Sequence, residues 1–333
     1  MPTTRTLIRD FSPSQLVEGV FALQNCQLGK TKNGKPFLKC LIGDRSARTP
    51  GRMWNISEER FRQLPTNGFV YIEGQAQPYQ GEIQIIIQHI QPVKPSEQDL
   101  EDLLPHTHHN IEQMFAELTE RLATIQHPAI QALVQAYQSD ENLMTRFRRA
   151  PAAMALHHAY IGGLLEHTLS LIRLADVFCP LYPHLNRDLI VAGLFIHDLG
   201  KCAELSWDSG FTYTEDGLLV GHIARGVTWL QQKADQCAEQ DTHIPAPILR
   251  VLEHVILSHH GKAEFGALKI PATPEAIAVS LLDNLDAKLQ MAIAATREDV
   301  PVAEVGGPFT EKIWALETRL YRPDPTTLDS NGH

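Results

Sequence analysis

The sequence predicts two modules in series, an all-β barrel followed by an all-α domain. Three observations carry that prediction. Apolar residues from Leu16 to Val93 recur with a short period between turn residues, those from Ile111 onward recur at helical spacing, and the charge balance reverses between the two regions. Residues 1 to 95 hold 12 Lys and Arg against 7 Asp and Glu, whereas the rest of the chain holds 17 against 32. At 333 residues there is chain enough for two hydrophobic cores.

Each element follows in order. LVEGVFALQNCQLGKT, starting at Leu16, reads as the first strand, and KNGKP as a hairpin turn, because Asn33 and Gly34 tolerate the positive φ of tight strand connections. PFLKCLIGD is the second strand, and a third ends near Trp54. Ser57 is placed to cap a brief helix, SEERFRQL, before FVYIEGQAQPY and EIQIIIQHIQPV supply two more strands. Five strands with one intervening helix fit an OB-fold, a small barrel that binds oligonucleotides on an open face, though the order also suits other small barrels. QPVKPSEQ, residues 91 to 98, reads as a linker, which sets the domains at 1–95 and 96–333. Beyond it, Ile111, Met114, Phe115, Leu118, Leu122 and Ile125 share one helix face behind Asn110 as cap. Further helices are expected near 129–138, 158–178, 187–201, 221–236, 247–260 and 274–297, ahead of a polar tail.

Composition excludes several classes. Apolar residues make up 43% and charged residues 20%, an ordinary globular balance that rules out wholesale disorder. The apolar run Leu189 to Ile196 falls far short of the roughly 20 residues a membrane span needs, so no membrane partner is expected. The opening MPTTRTLIRDF lacks the apolar core of a secretory signal, and five scattered cysteines form no redox or zinc pair, which reads as a cytoplasmic protein with reduced thiols. The net charge of −10 argues against a polyanion partner, yet the basic first module beside an acidic second one suits a nucleic-acid grip joined to a cation-holding domain.

Ten of the 16 histidines lie between His157 and His260. His167, His197 with Asp198, His222, His259 with His260, and Asp283 fall on five separate expected helices. Imidazole nitrogen with carboxylate oxygen suits Mn, Fe, Co, Ni or Zn better than calcium, with manganese foremost. His197 and Asp198 follow LIVAGLFI, so two polar groups close a buried helix face, where leaving them unpaired costs on the order of 1–3 kcal/mol each. His106, His108, His109, His184 and His243 lack that apolar context and are assigned to solvent.

The order H…HD…H…HH…D resembles that of HD-domain metal-dependent phosphohydrolases. The strings HHAYIGGLLEHT, LFIHDLGK, LSHHGK and LLDNLDAK, behind a predicted OB-fold, are similar to those of the OB-fold plus HD-domain 3′ to 5′ exoribonucleases, the YhaM family. The resemblance implies one metal held by His167, His197, Asp198 and Asp283 and a second held by Asp198, His222, His259 and His260, with Asp198 bridging; one ion or two stays open. It implies His158 acting on the scissile phosphate and single-stranded RNA or DNA held on the barrel. Lys201, four residues after His197 on the same expected helix face, is either a catalytic cation for a phosphate oxygen or a surface lysine. His254 is open between ligand, outer partner and packing residue, and Asp286 is placed to orient a ligand. For the strand, Phe37, Trp54, Phe69 and Tyr71 are stacking candidates or else barrel core, and Lys30, Lys32, Lys35 and Lys39 track phosphates or form a solvated turn. Two other functions remain: an HD phosphohydrolase of a small nucleotide with a regulatory β-module, and a non-enzymatic nucleic-acid binder. A homo-oligomer held by the β-module also stays open. After His260 the chain reads GKAEFG, with no GYP triplet, which disfavours a cyclic-dinucleotide phosphodiesterase.

Overall fold

The computed structural model describes residues 6–31, 33–65, 68–79, 82–154, 158–207, 210–297, 308–323 and 326. Contacts divide the chain into two compact units, Met1–His108 with Leu205–Thr214, and His109–Glu204 with Glu215–His333. Among the described residues all five cysteines are free, and no helix is long and apolar enough to cross a membrane.

The first unit is built on a closed five-stranded barrel, OB-fold-like, in the order β1-β2-β3-β5-β4. Its strands are β1 (Leu16–Lys30), β2 (Pro36–Gly43), β3 (Arg48–Trp54), β4 (Gly68–Tyr79) and β5 (Glu82–Pro92). β1 closes the barrel by serving two partners. Its first half pairs with β4 from Leu16↔Gln75 to Leu23↔Gly68, and its second half pairs with β2, ending at Lys30↔Pro36. A register shift between Gln24 and Gln27, around the left-handed Asn25, bends the strand between these partners. β3 and β5 pair in parallel at Gly51↔Ile85 and Arg52↔Ile86. Strand alternation turns Phe21, Leu23, Leu38, Ile42, Ile72 and Ile85 into a core with almost no exposed surface. In the expected hairpin turn Gly34 takes the positive φ, at 75°, whereas Asn33 is not left-handed.

Ser57 caps α1 (Glu58–Arg62) by accepting from the Arg60 amide, as its sequence position predicts. The expected linker is entered by regular structure from both sides, leaving only 93–96 outside it: β5 runs to Pro92, and α2 (Glu97–Leu103) begins behind a capping box of Ser96 and Asp99.

The second unit contains α3 (Ile111–Leu122), α4 (Pro128–Gln138), α5 (Glu141–Arg149), α6 (Gly163–Phe178), α7 (Arg187–Ile196) and α8 (Lys201–Glu204). A short hairpin of β6 (Leu205–Ser206) and β7 (Thr212–Tyr213) belongs to the first unit. The second resumes with α9 (Glu215–Leu219), α10 (Gly221–Glu239), α11 (Ala246–Ser258) and α12 (Pro274–Thr296). α7 is its axis: every residue from Ile190 to Ile196 is buried, and it contacts α4, α6, α11 and α12. Burying each of its large aliphatic side chains contributes roughly 1.5–3 kcal/mol.

At one end of this bundle an ion network ties three helices. Glu117 of α3 accepts from Arg173 of α6 at 2.9 Å and from Arg121 at 2.8 Å, while Asp176 of α6 accepts from Arg121 and, at 2.6 Å, from Arg187 of α7. The Arg173 hydrogen bond, assisted by Arg121 and opposed by partial burial, lowers the Glu117 pKa from 4.5 to about 2. A depressed carboxyl stabilises the fold fully above its unfolded value and loses that contribution as pH falls through the folded one. Solvent screening limits the effect to about 1 kcal/mol. Glu117→Gln is therefore expected to lose about that much stability at pH 7, and to show a smaller further loss than wild type between pH 5 and 2 in urea unfolding. Equal losses in the two proteins over that range would remove the network from the acid response.

Candidate metal centre

Five helices and the turns that end them deliver the histidines and aspartates to one point. His167 lies on the buried face of α6. α7 stops at Ile196, so His197 caps it and Asp198 begins a turn rather than continuing the helix expected to Lys201. Lys201 opens α8, His222 is the second residue of α10, His259 and His260 follow α11, and Asp283 lies within α12. A close approach positions His222: a Cβ on Gly200 would lie 2.0 Å from the His222 carbonyl oxygen, so any larger residue there displaces the start of α10.

Asp198 is the hub. Its Oδ2 lies 3.3 Å from His197 Nε2 and 4.0 Å from His167 Nε2, and its Oδ1 lies 3.4 Å from His259 Nε2 and 3.7 Å from His222 Nε2. His167 Nε2 is also 3.2 Å from Asp283 Oδ1. Two ligand groups meet here, His167 with His197 and Asp283, and Asp198 with His222, His259 and His260, the ligand atoms of each lying within 4.8 Å of one another; His158, His167 and Asp286 form a third group of the same compactness behind them. These are the residues that the sequence pattern singles out.

The outward ring nitrogens explain why Nε2 points inward. Nδ1 of His197 donates to Leu194 O at 2.8 Å, that of His259 to Ile256 O at 2.8 Å, and that of His260 to Phe265 O at 2.7 Å. His167 and His222 donate instead to carboxylates, Asp286 at 2.8 Å and Glu204 at 2.9 Å. Every one of these acceptors is a carbonyl or carboxylate, so each Nδ1 carries a proton and each Nε2 faces the centre, as a lone pair wherever the ring is neutral. Nε2 of His197, His222 and His259 and Oδ1 of Asp198 are buried with no hydrogen-bond partner. Four such atoms facing one another cost about 1–3 kcal/mol each unless a cation satisfies them, so the donor set fits a divalent metal.

Electrostatics agree with that fit. Burial and the neighbouring His259 push the His260 pKa down to about 3, and burial also lowers that of His259, so both rings stay neutral as ligands must. Burial raises the Asp198 pKa, but Lys201 and His197 outweigh it and hold the carboxyl well below its ordinary range. Asp283 is held low against burial chiefly by His167. His167 is the exception: burial lowers its pKa, yet Asp283 and Asp286 carry it up to about 9, so near neutral pH its Nε2 also holds a proton, facing Asp283, which a metal would have to displace. Lys201 Nζ donates to Asp198 Oδ2 at 2.7 Å, and that pairing outweighs burial to keep the ammonium charged.

His158 lies elsewhere than the sequence resemblance implies. Its left-handed backbone, with φ of 49°, delays the start of α6 to Gly163. Its side chain is fully buried, with Nε2 3.0 Å from Asp286 Oδ2 and Nδ1 2.8 Å from the Tyr160 hydroxyl. With both ring nitrogens engaged it has no contact to offer a phosphate. It braces the carboxylate that orients His167. His254 is a packing residue, since its Nε2 accepts the Ala272 amide at 2.8 Å. Glu204 has no sequence signal: only the folded chain brings it to His222. Removing such an orienting partner typically costs 10- to 100-fold in metal affinity. Glu204→Gln is expected to weaken metal binding by about that factor, read by competition against a chromophoric chelator. Unchanged affinity would exclude Glu204 from the support of the site.

On the barrel, the expected strand-binding residues separate. Phe37 and Trp54 are register partners with ring centroids 5.3 Å apart. Arg52, absent from the sequence expectation, lies 5.9 Å from each of these rings and 5.3 Å from that of Tyr79. Lys39 is the register partner of Arg52, and Lys30, Lys35 and Lys39 are exposed. Lys32 falls outside the described residues. Phe69 is only 3% exposed and has no face for a base. Tyr71 pairs with Val20 on β1 and donates its hydroxyl to Glu18 at 2.7 Å.

The HD domain family model matches residues 164–288. Among solved structures, the second OB-fold domain of replication protein A from Methanococcus maripaludis is 13% identical, covering 28% of this chain and 98% of that one at a TM-score of 0.23. A replication protein A heterotrimer bound to ssDNA is 15% identical, covering 30% of this chain and 75% of that one at a TM-score of 0.22. The matched segment, residues 164–288, takes in every residue of the two ligand groups built on Asp198 and His167, so the chain is an OB-fold-like barrel followed by a helical region containing an HD domain, a fold that suggests a metal-dependent phosphohydrolase.

Proposed function

We propose that the protein is a metal-dependent 3′ to 5′ exoribonuclease that hydrolyses single-stranded RNA, with single-stranded DNA as a second substrate, in the manner of the YhaM family. One observation carries the reading: four unpartnered buried ligand atoms meet around Asp198, on the wall of a cavity that also exposes Lys201. Divalent ions bound there, manganese foremost among Mn, Fe, Co, Ni and Zn, supply a nucleophile near neutral pH and positive charge for phosphoryl oxygens. Asp198, with one oxygen toward each ligand group, holds both groups in register. Lys201 stays protonated against Asp198 and presents an ammonium to a phosphate oxygen in the cavity. The Glu204 and Asp286 carboxylates fix the tautomers of His222 and His167, so the ligand set is organised before substrate arrives.

The barrel supplies the grip. Phe37 and Trp54 offer a pair of aromatic faces, and Lys30 on β1, Lys35 in the turn before β2, Lys39 on β2 and Arg52 on β3 offer positive charge on adjacent strands, the combination that holds single strands without reading their sequence. The test is polarity. A 5′-labelled single strand with manganese should shorten progressively from its 3′ end, and a 3′ phosphate or a duplex end should block it. Rapid cutting of a circular RNA would overturn the exonuclease reading, and turnover of small nucleotides with strands untouched would replace it with the nucleotidase alternative.

A further inference from the structure

The metal centre opens on one side into a cavity of about 580 Å³, within the range of small-molecule sites. Its lining is of two kinds. Asp198, Asp283, His259, His260 and Lys201 belong to the metal centre. The rest includes exposed apolar side chains: Trp314 is 75% exposed, Ile270 74%, Leu281 63% and Phe265 61%. Two further lysines, Lys262 and Lys288, line the same cavity, and both are exposed. Lys262 lies 5.7 Å from the Phe265 ring and shares its charge with Glu264 at 3.2 Å. The loop that carries Phe265 is held to the centre by the His260 Nδ1 hydrogen bond to the Phe265 carbonyl, so the apolar wall and the ligand set are fixed to each other.

An occupant must satisfy both kinds of lining. The three lysines favour an anion, and the wall favours a flat apolar face on the same molecule. A nucleotide has both, and a cavity of this size admits one or two nucleotides and no duplex. We propose that the cavity is the subsite for the terminal nucleotide of the strand, its base stacked on Trp314 and packed on the Leu281 side of α12, its phosphates among Lys201, Lys262 and Lys288. This rests on the nuclease reading above. Stacking on an aromatic wall is tolerant of base identity, so the subsite requires a base without selecting which one.

The test uses the full chain and a pair of single-stranded RNAs that differ only in a 3′-terminal abasic residue. Base stacking on an aromatic side chain is worth about 1–3 kcal/mol, or roughly 5- to 150-fold, so wild type should show that increase in KM for the abasic strand. Trp314→Ala should raise KM for the normal strand and lose the discrimination, whereas Trp314→Phe should retain most of it. Metal content and the far-UV circular dichroism spectrum should be unchanged in both. A readout free of turnover is tryptophan quenching by adenosine 5′-monophosphate, expected in wild type and reduced in Trp314→Phe. Equal KM values for the two strands in wild type, or discrimination that survives Trp314→Ala, would overturn the subsite while leaving the nuclease standing. A concentration-dependent dimer abolished by Trp314→Ala would give the wall to a second copy and also overturn it. If no strand is hydrolysed the nuclease reading fails by itself, and the nucleotide titration still decides the cavity.

Discussion

Asp198→Ala should purify without stoichiometric metal and lose strand hydrolysis by on the order of 10³-fold, well beyond the 10- to 100-fold expected of an orienting partner such as Glu204. The reason is geometric. Each histidine serves one ligand group, whereas Asp198 turns Oδ2 toward His167 and His197 and Oδ1 toward His222 and His259. Its removal also strands Lys201, which loses the carboxylate that holds its ammonium at 2.7 Å. Asp198→Asn separates shape from charge: it preserves the volume and still fails to neutralise a cation. Elemental analysis with parallel turnover measurements reads both variants. An Asp198→Ala protein with wild-type metal content and rate would show that the cluster is structural.

The second large effect belongs to the barrel. Trp54→Ala is expected to weaken single-strand RNA binding by about 5- to 150-fold, the worth of one stacked base, with bis(p-nitrophenyl) phosphate turnover untouched. Arg52→Ala should weaken binding as well, because it removes a cation that lies near three rings. If Arg52 neutralises a phosphate, the salt dependence should flatten by about 0.7 in the slope of log K against log salt. Phe69→Ala provides the contrast: its ring is buried, so the expected loss is about 3–5 kcal/mol of stability rather than affinity. Fluorescence anisotropy across a salt series measures the first two. Trp54→Ala and Arg52→Ala proteins that bind RNA like wild type would move the grip off this face.

The barrel was readable because its strands alternate and its hairpin carries Gly34, so period and turn chemistry point the same way. Strand alternation alone could not sort the aromatics. Phe37 and Trp54 share an outer face because β2 and β3 are register partners, and Arg52 joins them through the same pairing, which no local pattern encodes. In the helical unit, long amphipathic helices such as α3 and α10 were legible, and α5 was not, since ENLMTRFRR is short and strongly polar. The ends of α6 and α7 shifted for local reasons: His158 is left-handed, and the chain turns at Asp198 to aim its carboxylate inward. Chain order singled out the seven ligand candidates, which sit at the ends of or within five separate helices. Of their supports, Asp286 was placed to orient a ligand by lying one turn beyond Asp283, and it takes His167. Glu204 escaped, because it reaches His222 across 18 positions, a distance at which spacing carries no signal.

The central claim is that the convergent Nε2 and carboxylate atoms hold a divalent metal that cuts a phosphodiester. Its most direct measurement is hydrolysis of a labelled single-stranded RNA by protein stripped with chelator, before and after manganese is returned. No hydrolysis after stripping and full recovery with manganese, at a stoichiometry of one or two ions per chain, is the predicted result. Hydrolysis that persists in the stripped protein, or a protein that neither binds manganese nor cuts RNA when it is supplied, would contradict the account.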